Sequence, residues 1–336
     1  MCVLIWMEMD HTIRHAGQTR LSDRSKGEEM FTFRTMRRSF LIAVMALFAT
    51  SQAYSQHSSW QKPVERDPAE VARIMGPIGE LEPSRDLNIV WVWGIDKLHE
   101  KETHEYGWVM DRYVFELLPK VPRVTVTPAY NYPTKDQWEK ADLVVFYLWP
   151  HQRDLQDYWD YDIMDRFQQR GGGLIFLHFA VAEYKGGGQE LAKRIGYSYG
   201  GTWGVLPSPV SLTAAASDHP IFRGFPAKID FMEEFYWNLV GDPSTTTPLV
   251  TSPAGPKIAN KPSYEAPVIE ELDGKEWPVM WTKEVGKSKT FTTVLGHNFW
   301  TFNDPYFRII LLRAMAWSMN ESFDPFKPLV NLHNQR

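Results

Sequence analysis

The sequence contains almost no cysteine: among its 336 residues the only one is Cys2. Because Cys2 lies outside the part of the chain that we expect to fold, we expect no internal disulfide, no thiolate metal site and no thiol nucleophile. The chain also lacks a basic run beyond its N-terminal region, and its net charge is -5. This charge balance predicts that nucleic acid is not a partner.

Long apolar runs are absent as well. The apolar run over residues 39–49 is about half of the ~20 residues that a membrane span needs. With basic residues before it and small residues after it, the run predicts a signal peptide over residues 36–55. We therefore expect a periplasmic or secreted protein without stable membrane insertion after cleavage; an uncleaved anchor is the alternative. Residues 1–35 are interpreted as a non-native or disordered extension, with translation starting at Met30 or Met36.

The remainder is predicted to contain one large domain, residues 87–320, between a surface-wrapping segment, residues 56–86, and a C-terminal tail, residues 321–336. In its first half, short apolar runs alternate with amphipathic patterns. The predicted strands are 88–93, 124–127, 143–148 and 174–178, and the predicted helices are 108–118, 136–140, 161–170 and 189–195. Such alternation indicates right-handed βαβ units and a parallel sheet.

The second half of the domain has a different pattern, with strand-like runs between Pro/Gly turns. The predicted strands are 210–213, 248–251, 279–282 and 291–295, and a long surface loop is predicted over residues 252–276. A helix over residues 305–317, capped by Asp304, is predicted to end the domain. The expected fold class is α/β, with a mostly parallel sheet and extra strands in the C-terminal half.

His178 is the first candidate for a site residue. A triple-glycine break and a short apolar run place it at the carboxyl end of a predicted strand, and in open α/β sheets ligands bind beyond these ends. Glu183, shortly after it, is a candidate for substrate binding. The turn after the strand resembles a nucleophile elbow, but no residue there can attack a substrate. The alternative is a buried histidine bonded to a backbone carbonyl.

A loop over residues 96–106 follows the first predicted strand, on the side of the sheet where ligands bind. It contains the pairs His99-Glu100 and His104-Glu105. These groups could supply a base, a metal ligand or hydrogen bonds to a sugar. The alternative is a solvated, charged loop.

Two later segments add a carboxylate and a third imidazole. In the acidic and aromatic run 230–237, strand alternation puts Glu234 and Tyr236 on one face. Aromatic neighbours would desolvate Glu234, as suits a general acid or base; the alternative is an exposed acidic edge. His297 ends the last predicted strand and is followed by Trp300, a further candidate for substrate binding. The alternative for His297 is a packed turn histidine.

Together these residues include a set of candidate metal ligands. His and Glu side chains are suitable ligands for a divalent metal such as Zn²⁺, and the candidates are His104, His178, Glu234 and His297. The sequence has no close H-x-x-H or H-E-x-x-H spacing among them, so no metal-binding motif supports the set. The cofactor is left open.

Five segments, in order, resemble the ThuA-like, or trehalose-utilisation, family. They are His104-Glu105-Tyr106, the run 171–178, Asp218-His219-Pro220-Ile221 with Gly224, Glu233-Glu234-Phe235-Tyr236, and Leu295-Gly296-His297 with Phe307-Arg308. The resemblance implies a flavodoxin-like, doubly wound sheet related to class I glutamine amidotransferases, without their cysteine. It also implies sugar metabolism, with a cleft lined by residues matching His104, His178, Glu234, Tyr236 and His297.

The sequence departs from the family pattern at two places. The acidic pair is Glu233-Glu234, where Asp-Glu is common, and Glu183 lies one residue later than the glutamate that the family implies.

Two hypotheses follow for the function. In the first, the protein is an enzyme that acts on a saccharide or an oxidised sugar derivative. Glu234 is then the general acid or base, His178 and His297 polarise sugar hydroxyls or hold a metal, and His104 and Tyr236 orient the ligand. In the second, the chain is a non-catalytic module that binds sugars or a protein partner. An active glutaminase is excluded because the expected fold contains no cysteine. A homo-oligomer is left open.

Overall fold

The computed structural model of the protein describes residues 64–96, 99, 101–150, 158–183, 188–199, 202–253 and 274–332. The predicted N-terminal extension and signal peptide lie outside the described residues, as do most of the loop predicted over residues 252–276 and the end of the predicted tail. Among the helices of the described part, none has the length and the apolar character needed to cross a membrane.

The structure describes eleven strands. They are β1 (Leu87–Trp93), β2 (Val124–Tyr130), β3 (Leu143–Tyr147), β4 (Gly173–Leu177), β5 (Tyr197–Ser198), β6 (Thr202–Leu212), β7 (Lys228–Trp237), β8 (Val240–Gly241), β9 (Thr247–Pro253), β10 (Glu276–Val285) and β11 (Ser288–Thr293). Nine of them form one sheet in the order β2-β1-β3-β4-β11-β10-β9-β6-β7, while β5 and β8 pair separately.

The sheet has a parallel half and an antiparallel half. Strands β2, β1, β3, β4 and β11 run parallel to one another. Strands β10, β9, β6 and β7 continue the sheet in antiparallel pairs. This arrangement confirms the predicted α/β class with extra strands in the C-terminal half. Strands β3 and β4 are buried throughout, which explains their continuous apolar sequences.

Seven α-helices accompany the strands in the described residues. They are α1 (Pro68–Met75), α2 (Tyr106–Asp111), α3 (Lys135–Lys140), α4 (Tyr161–Gln169), α5 (Gln189–Ile195), α6 (Ala214–Asp218) and α7 (Pro305–Ser318). Helix α2 continues into a π-helical turn, Arg112–Leu117, and a 3-10 turn, Leu118–Lys120. Asp304 caps α7, as predicted, by accepting a hydrogen bond from the Tyr306 N–H.

Helices cover both faces of the sheet around β4. A Cβ atom on Gly172 would meet the ring of Phe167 in α4, whereas one on Gly173 would meet Ser318 in α7. Because successive residues of an extended chain point to opposite faces, α4 and α7 lie on opposite sides of the sheet. This confirms the doubly wound arrangement, and it explains why the chain has glycine where β4 begins.

Strands β2 and β6 both run farther than the sequence pattern predicts, and both contain proline. Strand β2 extends to Tyr130 through Pro128 at the edge of the sheet, where the missing N–H leaves no inner partner unbonded. Strand β6 begins at Thr202, although only 210–213 is predicted. Its prolines, Pro207 and Pro209, lie where β6 pairs with β7 but not with β9.

Candidate functional site

Three parallel strands bring histidines to one edge of the sheet. His178 comes directly after β4, and His297 comes shortly after β11, the neighbour of β4. The loop after β1 carries Asp96, His99 and His104. Because the carboxyl ends of parallel strands meet at the same edge, side chains that are far apart in the chain lie together there.

The backbone is strained at the site. His104 and His178 both have the left-handed conformation, with φ of 52° and 54°, which is uncommon outside glycine, although histidine adopts it more often than most residues do. Gly296, before His297, has a φ of 120°, and a Cβ atom there would lie 3.4 Å from the Cβ of His178. Strain of this kind persists where the surrounding structure holds it, and it concentrates at functional sites.

The ring nitrogens of three histidines converge. His104 Nε2 lies 2.8 Å from His178 Nε2 and 3.2 Å from His297 Nδ1. All three side chains are buried, and His178 is fully so. The backbone ties the two loops together as well, because the His104 N–H donates to the His297 carbonyl at 2.8 Å. We call His104, His178 and His297 the histidine cluster.

The outer nitrogens of two of these rings have fixed partners. His178 Nδ1 lies 2.9 Å from the Val294 carbonyl oxygen, and His104 Nδ1 lies 2.7 Å from Asp96 Oδ2. Asp96 Oδ2 also accepts from His99. The alternative considered for His178, a buried histidine bonded to a backbone carbonyl, thus describes one side of its ring, while the other side faces the cluster.

Burial keeps two of the rings neutral. It lowers the pKa of His104 to about 4, because desolvation outweighs the hydrogen bond with Asp96, which raises it. It also lowers the pKa of His178 well below its ordinary value. Near neutral pH the protein alone therefore holds both imidazoles uncharged.

Glu234 and Tyr236 reach the histidine cluster from β7. The Tyr236 hydroxyl lies 2.9 Å from His178 Nε2. The Glu234 oxygens lie 3.8 Å from His178 Nε2 and 3.6 Å from His297 Nδ1, beyond normal hydrogen-bond length. Burial, followed by the charge of Glu234, raises the pKa of Tyr236 well above its ordinary value, so its hydroxyl stays protonated.

Glu233 supports the site from the other face of β7, and sequence reasoning did not select it. Its carboxylate accepts from the backbone N–H groups of Glu234, His297 and Asn298 at 3.0, 3.1 and 3.2 Å, and from the Thr301 hydroxyl. Burial raises the pKa of Glu233 to about 7, although these donors favour its charged form. The available signal in the sequence was the position of Glu233 directly before Glu234 in a strand, where successive side chains point to opposite faces.

Partly exposed aromatic rings border the cluster. Trp149 lies 4.9 Å from the ring of His99 and 5.4 Å from that of Phe179. The ring centroid of Tyr199 lies 5.2 Å from that of Phe179 and 5.0 Å from that of Tyr236. Burial and the charge of Glu234 raise the pKa of Tyr199 to about 12. We call Trp149, Phe179 and Tyr199 the aromatic wall.

Two predicted substrate-binding residues have other contacts. Glu183 accepts a hydrogen bond from the Tyr161 hydroxyl and another, at 3.2 Å, from the Leu191 N–H in the first turn of α5. Trp300 is half-buried and packs on Phe299, with ring centroids 5.8 Å apart. The contacts described for these two residues join neither of them to the histidine cluster, and their binding role stays a prediction.

Fold and site together define an α/β protein of the flavodoxin-like kind, with a buried imidazole and carboxylate site above the parallel strands. The chain belongs to the ThuA family, described as trehalose utilisation, whose model matches residues 92–318. Membership implies a carbohydrate-related role. None of the curated proteins compared with the sequence matches it.

The chain is also similar to solved structures. A putative ThuA-like protein from Parabacteroides merdae ATCC 43184 is 16% identical, with a TM-score of 0.50; the match covers 70% of this chain and 90% of that one. Another, from Bacteroides uniformis ATCC 8492, is 15% identical, with a TM-score of 0.48, and covers 72% and 94%. At such identities the likeness concerns the fold alone.

Proposed function

We propose that the protein is an exported enzyme of carbohydrate metabolism that acts on a saccharide or an oxidised sugar derivative, with Glu234 as its general acid or base. The family supports the substrate class, and the position of Glu234 supports the chemistry. Its carboxylate oxygens lie 3.8 Å from His178 Nε2 and 3.6 Å from His297 Nδ1, beside the two rings that would polarise a sugar hydroxyl.

The observation that carries the proposal is the aromatic wall beside this carboxylate. Ligand sites combine apolar, aromatic surfaces with a few polar groups that fix orientation. The rings of Trp149, Phe179 and Tyr199 are partly exposed, and each offers an apolar face to the C–H groups of a sugar ring. The Glu234 side chain is 9% exposed and that of His297 11%, so these groups provide the access to the cluster.

Tyr236 has a positioning role in this mechanism. Tyr236 keeps its proton, and its hydroxyl lies 2.9 Å from His178 Nε2, where it limits the orientation of that ring. Glu234 removes a proton from a substrate hydroxyl or returns one to a leaving oxygen. General acid–base catalysis of this kind contributes typically about 10²–10⁴ to a rate.

The test is Glu234→Gln, which keeps the size of the side chain and removes its charge. Wild type and variant are titrated with a panel of disaccharides and their keto derivatives by tryptophan fluorescence, and product is followed by NMR. We expect similar dissociation constants and a turnover lower by about 10²–10⁴. Glu80→Gln, at an exposed glutamate, is the control. Equal turnover of Glu234→Gln and wild type would contradict the acid–base role, and binding without product would favour a binding module.

Export is tested separately, because it rests on residues 36–55 alone. The full chain is expressed in a Gram-negative host, and the cell fractions are analysed by mass spectrometry. We expect periplasmic protein whose N-terminus follows Ala53 or Ser55. Uncleaved protein in the cytosol would contradict export and leave the enzyme proposal intact.

A further inference from the structure

The contact between His104 and His178 is chemically unusual. A carbonyl oxygen only accepts hydrogen bonds, so His178 Nδ1, 2.9 Å from the Val294 carbonyl, carries the proton of that ring. Asp96 Oδ2, as a carboxylate oxygen, likewise accepts from His104 Nδ1 at 2.7 Å. In neutral imidazoles the Nε2 atoms of both rings are then acceptors. These two atoms face each other at 2.8 Å.

Two facing lone pairs at this distance repel unless a cation lies between them. One extra proton on His104 Nε2 would form a hydrogen bond between His104 and His178 only. The cluster has a third nitrogen, His297 Nδ1, 3.2 Å from His104 Nε2, and the carboxylate of Glu234 lies within 3.8 Å of two rings. A metal ion can satisfy all three nitrogens at once, which a proton cannot.

We propose that His104, His178 and His297 bind one first-row divalent metal ion through Nε2, Nε2 and Nδ1. At the Zn–N length of about 2.1 Å, the separations of 2.8 and 3.2 Å correspond to N–metal–N angles of roughly 85° and 100°. Both angles are within the range that four- to six-coordinate metal ions adopt, and three protein ligands leave room for a further ligand. Imidazole nitrogen suits zinc, iron, nickel and copper.

The hydrogen-bond partners of His104 and His178 are of the kind that metal-binding histidines usually have. Ligating histidines usually donate their other N–H to a carboxylate or a backbone carbonyl, which fixes ring orientation. Asp96 does this for His104, and the Val294 carbonyl does it for His178. Both histidines have a left-handed backbone conformation, which is energetically less favourable and persists where the surrounding structure holds it.

The inference deepens the proposed function and, for its catalytic meaning, rests on it. The carboxylate of Glu234 lies 3.8 and 3.6 Å from two of the three ligand atoms, so a sugar oxygen bound to the ion would be next to the acid or base. Metal binding itself requires no sugar. Its failure and the failure of the proposed function are therefore distinguishable.

The experiment measures metal binding by the full chain. Protein purified without chelator is analysed by inductively coupled plasma mass spectrometry, and chelator-treated protein is titrated with Zn²⁺ by calorimetry and with Co²⁺ by visible absorption. We expect one ion per chain and Co²⁺ bands typical of nitrogen ligands. His178→Gln and His297→Gln should each lose the ion, while the control His219→Gln, at a histidine whose ring packs on Trp317, keeps it.

A second variant addresses misfolding. Asp96→Asn leaves all three ligands in place and changes the acceptor that His104 Nδ1 and His99 Nδ1 share, so we expect a folded protein, by circular dichroism, with Zn²⁺ affinity lower by about 10–100-fold. Zn²⁺ binding that is equal in wild type, Asp96→Asn and His178→Gln would overturn the proposal. So would wild-type protein that binds no Zn²⁺ or Co²⁺ under these conditions, since a shared proton would then explain the contact.

Discussion

Glu233→Gln tests whether one buried carboxylate holds the loop that carries His297. One oxygen of Glu233 accepts from the N–H groups of Glu234 and His297, and the other accepts from the Asn298 N–H and the Thr301 hydroxyl. Glutamine has a single acceptor oxygen. In its best orientation the amide NH₂ replaces the second oxygen and donates to the Thr301 hydroxyl, so the Asn298 N–H loses its acceptor.

The expected cost follows from that one lost acceptor. A buried donor without a partner costs about 1–3 kcal/mol, a sizeable part of the roughly 5–15 kcal/mol that stabilises a folded protein. We therefore expect the free energy of unfolding to fall by about 1–3 kcal/mol in Glu233→Gln. The assay is urea unfolding followed by tryptophan fluorescence, above the pKa of about 7 that burial gives Glu233, where the wild-type group is charged.

The control is Glu80→Gln, because Glu80 is exposed and surface substitutions usually change stability by less than about 0.5 kcal/mol. If Glu233→Gln is as stable as this control, the four hydrogen bonds do not hold the loop and the reasoning is refuted. Zn²⁺ titration of the same variant provides a second readout, since a displaced His297 would weaken the ion's site.

Three further substitutions test the fold. Phe176→Ala removes a buried ring stacked on Phe146, with centroids 4.9 Å apart, and should cost about 3–5 kcal/mol of unfolding free energy in urea; less than about 1 kcal/mol would refute this. Asp304→Ala removes the cap of α7 and leaves Arg66 without its buried ion-pair partner, at about 3–5 kcal/mol by the same assay; Asp304→Asn, which keeps the cap, should cost less. Burial lowers the pKa of His219 from 6.5 to about 4, so the unfolded chain binds this proton first and stability falls as the pH drops through that range. His219→Gln should make this fall less steep, and an unchanged slope would contradict the assignment.

Much of the parallel half of the sheet could be predicted from sequence. Continuous apolar runs such as 143–147 and 173–177 occur where a strand is covered on both faces, and their alternation with helices specifies parallel neighbours. The local sequence pattern was enough to predict these strands. Strand β6 was only partly predicted, because Pro207 and Pro209 are unfavourable in a strand, and only the structure shows that this stretch pairs with β7.

Part of the site could likewise be predicted from sequence, and part could not. A histidine after an apolar run could be assigned to the ligand edge of the sheet, since that rule needs only the end of a strand. Glu183 illustrates the limit: its position after His178 predicts substrate binding, and only the structure shows that its carboxylate accepts hydrogen bonds from Tyr161 and from the first turn of α5. Sequence spacing does not give the direction of a side chain within an irregular loop.

By itself, the sequence determined the class of fold and which imidazoles lie at strand ends, because apolar periodicity and glycine placement act over short distances along the chain. Only the tertiary structure decided that Glu234 and Tyr236 meet those histidines. In strand order β7 lies at the far end of the sheet from β2, four strands beyond β11, yet its side chains contact the ends of β4 and β11. The antiparallel half must curve back over the parallel edge to allow this. The twist of each strand accumulates across a sheet, so the result depends on which strands pair and in what order, and these strands are far apart in the chain.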